Sequence, residues 1–330
     1  MNNKDLKKVV ESALDKQKVP HVKLKKIGAS KVDVASLTEP SKETRQEYWG
    51  KGLTYCAIIL IIILVASIIG FIGFHGLETF TKDHVNVFQF LTSSDWDPGE
   101  GKNHVGAAAM IVTSFSVTLL AALVATPFAI AVALFMTEYS SKKGARFLQS
   151  VIELLVGIPS VVYGFLGLTV IVPFIRNIFG GTGFGILSAT LVLFVMVLRP
   201  VTSLTVDSLK AVPSDYRKAS LALGATKWQT IYKVILRVAS PRIMTAVIFG
   251  MARAFGEALA VQMVIGNAVL MPANLVSPSA TLTSQLTSQM GNTVMGTLPN
   301  NALWSLALLL LIMSLVFNFL FRLIGKRGQK

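Results

Sequence analysis

Arg253 and Glu257 stand four residues apart in a stretch, Ile243–Met271, that carries no other charge. A guanidinium offers five N–H donors in a planar fork, which matches a carboxylate or a tetrahedral oxyanion. On a helix the two side chains share a face, so Glu257 can supply a counter-charge. The order, Arg before Glu, is the weaker one for an isolated helix, so helix stability alone is a poor reason for the pair. Two chemistries stay open from these residues. One is a buried ion pair that fixes helix packing. The other is a fork for a passing oxyanion, with Glu257 holding Arg253 at rest and keeping the site from trapping the anion too tightly.

Other chemistry-bearing residues do not assemble. His75, His84 and His104 share one connecting segment, but their spacing matches no metal motif. Asp95-x-Asp97-x-Gly99 opens like a calcium loop, yet position twelve is Gly106 rather than Glu. The single cysteine, Cys56, excludes an intrachain disulfide and any multi-thiolate zinc or iron–sulfur site. No Gly-x-x-x-x-Gly-Lys-Ser/Thr occurs, since Gly50-Lys51, Gly101-Lys102 and Gly325-Lys326 are each followed by another residue. No nucleophile–base constellation is present. By itself the chain reads as non-enzymatic, with no cofactor of its own.

The elements that must position Arg253 are set by the solvent. The 330 residues are 52% hydrophobic and 15% charged, with a mean hydropathy of +0.61. Soluble domains carry roughly 25% charged residues, so a bilayer is the main solvent here. Six apolar runs are long enough to cross it: Leu53–Phe74, Gly106–Thr137, Leu154–Ile175, Phe184–Leu204, Ile243–Met271 and Ala302–Phe321. Arg199 falls near one end of the fourth run, where its side chain can snorkel. Arg253 lies well inside the fifth, at a cost of about 2.5–3.5 kcal/mol, and needs a partner or a wet cavity. Pro127 and Pro159, inside the second and third runs, can kink them. Gly250 with Ala254, and Gly256 with Ala260, form two small-xxx-small pairs on the fifth. They suit either packing within the chain or a seam with a second subunit.

The net charge of +14 is distributed by side. Residues 1–52 hold twelve Lys/Arg, whereas 75–105 has only Lys82 and Lys102 against five acids. Lys142, Lys143 and Arg146 follow the second run, eight basic residues lie between Arg199 and Arg242, and Pro272–Asn301 has no charge. The C-terminus adds Arg322, Lys326, Arg327 and Lys330. Under the positive-inside rule both termini are cytoplasmic and 75–105 is extracytoplasmic. The excess charge is topology, which removes nucleic acid as the reason for it. The first run starts behind a charged tail and does not resemble a cleaved signal peptide. In that tail Leu6, Val9, Val10, Ala13 and Leu14 recur at helical spacing, as in an amphipathic helix on the inner leaflet; a mostly disordered basic tail is the alternative.

One cytoplasmic segment is more than a connector. Pro213 and Ser214 open a helix whose interior, Asp215–Leu223, stops at Gly224, a good left-handed cap. Thr226 followed three residues later by Gln229 is a capping box, and its helix puts Ile231, Val234, Ile235 and Val238 on one face before Pro241 stops it. Such a helix–Gly–helix needs something to pack against, within the protein or outside it.

Here Ala219-Ser220, Gly224 and Val234-Ile235-Leu236 resemble, in type and spacing, the EAA loop of bacterial ABC-importer permeases. Lys218 stands where that family has Glu, Ser220 for its second Ala and Arg237 for its Pro. Residues 153–164, the run Arg253–Val261 continuing to Asn267, residues 281–284 and the Trp96-Asp97-Pro98 loop are together similar to phosphate-importer permeases of the PstC type. The resemblance implies an all-α, six-span membrane protein with a type I (MetI-like) permease core over 106–324, a basic tail over 1–52 and a first helix over 53–74. It implies a coupling loop at 213–238 in which Ala219, Ser220, Gly224 and Leu236 meet a cytoplasmic ATPase dimer. That partner would bind ATP–Mg. It further implies a second, homologous permease, an extracytoplasmic phosphate-binding protein that the Trp96 loop could touch, and phosphate passing Arg253 and Glu257. The same architecture could carry sulfate or molybdate. An ion-driven secondary transporter or channel is the distant rival; such folds often carry inverted repeats, of which this sequence has no convincing example, and it leaves the 213–238 loop unexplained.

Overall fold

The structure, a computed structural model, describes residues 42–327. The amphipathic helix expected near Leu6–Leu14 lies outside them. Among the described residues all regular structure is helical, and extended pairing is limited to two isolated bridges, Trp96 with Val105 and Gly266 with Ser279. Six helices are long and apolar enough to cross a membrane: Glu47–Thr81, Ala108–Tyr139, Ser160–Phe179, Ile186–Lys210, Lys227–Phe255 and Leu298–Phe319. We refer to them as spans one to six.

The chain divides into two compact units, residues 1–65 and 66–330. In the first, every side chain from Leu53 to Val65 is exposed. A helix apolar all round and bare on every face takes lipid as its solvent.

In the second unit the centre is built by spans two and four. Ala121, Ala125, Ala129 and Ala133 recur every fourth residue and are fully buried, forming a smooth strip against which span four packs. Without a large aqueous driving force, small residues permit the close approach that dispersion needs. Leu193, Val197 and Val201 answer from span four, and Val261, Val264 and Ile265 complete the cluster. A second cluster gathers Phe90, Val105, Met110, Leu282, Leu303 and Leu306 at one end. A third gathers Met136, Ile152, Val206, Leu209, Ile231 and Ile235 at the other.

Spans three and five begin elsewhere than expected, and a proline bears on each start. Span three does not start at Leu154. A separate helix, Lys142–Gly157, ends there, Ile158 turns extended (φ −78°, ψ 120°), and Pro159 sits just ahead of span three rather than inside it. A residue before proline is pushed out of the helical region, so the break falls at Ile158. Tyr163 braces the corner by donating its hydroxyl to the Leu155 carbonyl at 3.0 Å. Pro241, in contrast, does not stop its helix, which runs on through Phe255. The missing proline N–H orphans the Arg237 carbonyl, and the Ser240 hydroxyl donates to it at 3.0 Å. Span five therefore starts at Lys227, in the coupling segment itself.

Span three needs glycine at Gly164. A Cβ there would stand 2.9 Å from Ala260 Cα, which is backbone and cannot yield. Outside the spans, the segment after span one closes on itself. Trp96 bridges to Val105, and the Asp97 N–H donates to the His104 carbonyl at 2.7 Å. The His104 ring meets the Asp95 carboxylate, which holds its pKa above the usual imidazole value of 6.5.

Two outcomes follow from these contacts. Gly164→Val should lower the unfolding stability of the solubilised protein by about 1–3 kcal/mol through overpacking. Gly157→Ala, whose Cβ meets open space, should leave it unchanged. Because the folded pKa of His104 is raised, its contribution is fully present below pH 6.5 and fades as pH rises through the elevated value. A histidine NMR titration should place His104 above 6.5 in the native chain and return it toward 6.5 in Asp95→Asn.

Candidate functional site

The 213–238 segment is built from local signals. Thr226 accepts from the Gln229 N–H at 3.2 Å while the Gln229 side chain accepts from the Thr226 N–H at 2.9 Å, a complete capping box. Gly224 takes φ +80°, the left-handed conformation that favours glycine. The helix between Pro213 and this turn, Ser214–Ala222, has no buried residue. Ala219 is exposed, Lys218 reaches only Asp215 at 3.8 Å with both in solvent, and Leu223 is 88% exposed. Trp228 and Tyr232 stack on each other, 6.5 Å between centroids, and both stand largely in the open. The result is an apolar knob with nothing on it.

Beneath the knob the packing is tight. Ile231 and Ile235 are buried beside Val206, Leu209 and Val212 of the fourth-span end, and Leu236 packs on the same cluster. Thr230 is buried, and its hydroxyl is satisfied by Ser220 at 2.9 Å. The serine at the second alanine position of the motif thus ties the two helices of the segment together.

A clamp unmarked in the sequence reading fixes this assembly to span two. Arg217 Nη2 approaches Glu138 Oε1 at 2.8 Å, with Nε at 3.3 Å on the same oxygen, and its remaining donors reach the Val212 and Leu209 carbonyls. Lys227 donates to the Glu138 carbonyl and lies 4.6 Å from the centre of the Tyr139 ring. Glu138 is 79 residues from Arg217, so local pattern gave no sign of the pairing.

The other expected site is arranged differently from its prediction. Arg253 is in the last turn of the Leu236–Phe255 helix, but the helix ends there. Gly256–Ala258 is unwound before a short helix, Leu259–Ile265. Glu257 is thereby carried off the shared helical face, and among the described residues no ion pair joins it to Arg253. Its Oε1 instead accepts from the Ala260 N–H at 3.3 Å, and its own carbonyl accepts from the Thr283 hydroxyl at 2.9 Å. The carboxylate satisfies backbone exposed by the break, a need that outweighs a pairing possible only on an unbroken helix.

Arg253 faces Arg199. The two line one small cavity with Leu155, Ser160, Tyr163 and Met196, and they are close enough for their charges to oppose each other. Arg199 is thirteen residues from Ile186 and eleven from Lys210, in mid-span, because the helix continues past Leu204 to Lys210. The snorkelling expected of it rested on a helix end placed too early.

The small residues also find partners. A Cβ on Gly250 would stand 2.6 Å from Val201 Cγ2, so this glycine lets span five meet span four. Ala254 and Ala260 are buried in the central cluster, the latter against Gly164. Gly256 has only its own turn nearby and belongs to the break.

Six apolar helices, an unwound stretch beside arginines and an exposed apolar knob define a membrane permease subunit rather than an enzyme. The sequence pattern of the binding-protein-dependent transport system inner membrane component matches residues 125–330. A probable ABC transporter permease protein of Bacillus subtilis, YqgH, is 49% identical over 293 residues, 88% of this chain and 94% of that one. The phosphate transport system permease protein PstC of Mesorhizobium japonicum is 32% identical over 284 residues, covering 79% and 84%. Among solved structures, a bacterial ABC transporter involved in alginate import shares the fold, with a TM-score of 0.62 at 14% identity over 88% of this chain and 99% of that one. The chain belongs to the binding-protein-dependent transport system inner membrane component family. It is an inner-membrane, multi-pass permease subunit of an ABC importer.

Glu138→Ala should loosen the coupling segment without unfolding the spans. Hydrogen exchange of amides in 214–229 should quicken roughly tenfold, the loss expected for one charge-assisted hydrogen-bond set. Exchange in span four should not change.

Proposed function

We propose that this chain is one transmembrane half of an ATP-driven phosphate importer. The observation that carries the proposal is the uncovered apolar knob, Leu223 with Trp228 and Tyr232, joined to the ends of spans two, four and five. A water-facing surface of this kind is a docking surface. Its small, capped helices have little side-chain entropy to lose on binding. The partner it suits is a cytoplasmic ATPase dimer, which holds the ATP–Mg. The basic connecting segments support a cytoplasmic position for the knob and both termini.

Phosphate is the cargo that the PstC relatives support, at about 30% identity. A mid-span arginine suits a tetrahedral oxyanion. At the end away from the knob, a polar vestibule of about 530 Å³ is lined by Trp96, Asp97, Asn267, Gln285 and Gln289. An extracytoplasmic phosphate-binding protein delivers there, and a second, homologous permease completes the pathway. ATP closes the ATPase dimer, the 213–238 segment moves with it through the Glu138–Arg217 clamp, and the spans turn outward. Hydrolysis returns them, and phosphate leaves past Arg253, while Glu257 holds the hinge of the broken helix.

Leu223→Asp should abolish co-purification of the ATPase with this permease and stop ATP-driven phosphate uptake, while the permease still inserts at native levels. Intact co-purification and uptake in that variant would refute the docking assignment.

A further inference from the structure

We infer that Arg199 and Arg253 act together as a two-guanidinium clamp for the tetrahedral oxyanion in transit. This inference rests on the transport reading above and adds to it a residue and a binding geometry. Four observations support it. Both arginines line one cavity although they come from different spans. Arg199 stands at the middle of span four rather than at its end. Neither guanidinium has a carboxylate partner among the described residues, because Glu257 is turned to the Ala260 N–H. The cavity's lining includes no acidic side chain, so nothing lining it neutralises the two like charges.

Such a pair is stable only with an anion between the heads or with water that an anion can replace. The cavity holds about 20 Å³, the room of a single water molecule. Arg253 closes it on one side with an exposed, unbranched side chain, so rotation of that side chain enlarges it. The donor inventory is selective as well. The Tyr163 hydroxyl proton is committed to the Leu155 carbonyl, which leaves the two forks and the Ser160 hydroxyl to bind the cargo. Two forks suit a tetrahedral anion of charge −2 better than a planar carboxylate or a single-charged anion. The charge cannot be left paired at rest, so the anion leaves as readily as water returns.

The test uses the whole importer in proteoliposomes, with uptake of labelled phosphate and labelled sulfate measured beside ATP hydrolysis. Arg199→Gln should cut anion uptake about tenfold or more, the equivalent of one lost charge-assisted hydrogen-bond set, in a complex that still assembles with its ATPase. Arg253→Gln should do the same, and the double variant should be little worse than either, since the two act on one ion. Native uptake in an assembled Arg199→Gln complex overturns the clamp while leaving phosphate transport in place. If Arg199→Gln does not assemble, Arg199→Lys decides: slowed uptake upholds the clamp, and native uptake overturns it. A native complex that moves sulfate and not phosphate overturns the phosphate reading, and the clamp then stands on the loss of sulfate uptake in Arg199→Gln.

Discussion

Every backbone N–H and C=O at membrane depth must find its partner inside the protein, and the irregular parts of this fold are organised around that constraint. At three of its interruptions a named side chain answers a freed group. Tyr163 covers Leu155 at the Pro159 corner, Ser240 covers Arg237 at Pro241, and Thr283 covers Glu257 at the unwound stretch. Glu257 itself takes the Ala260 N–H. The breaks are therefore stable conformations held by hydrogen bonds, and they allow a bend where span three passes the short helix Leu259–Ile265.

That crossing explains the central packing. Gly164 and Ala260 bring the two backbones within van der Waals reach, and Gly250 does the same between spans four and five. Long side chains such as Leu193, Met196 and Ile265 fill the space around these close approaches. Toward the knob, the third cluster joins the ends of spans two and four to Ile231 and Ile235, and Glu138 ties the surface helix to the same place. A displacement of the knob is thus shared by three spans through buried contacts and one ion pair rather than through a single flexible link.

Much of this was legible because it is local. The six apolar runs, the Gly224 turn and the Thr226–Gln229 capping box depend on residues within a few positions of one another, and the structure contains all of them. What could not be read depended on partners far away in sequence. Arg253–Glu257 looks like an i,i+4 pair until Thr283, 26 residues on, is seen to hold the unwound turn. Arg199 was misplaced for a plainer reason: Thr205–Lys210 is polar enough to end an apolar run but continues as helix. The clamp of Glu138 on Arg217 has no local signature at all.

The bareness of Leu223, Trp228 and Tyr232 also bears on how such a subunit is made. Under the docking proposed above, copies synthesised in excess of the ATPase would present an oily tip to water, the kind of surface that chaperones and proteases recognise. Matched production of the two gene products would then be a matter of survival for the nascent polypeptide as much as of economy. The surface proposed to meet the ATPase would mark any orphan for removal.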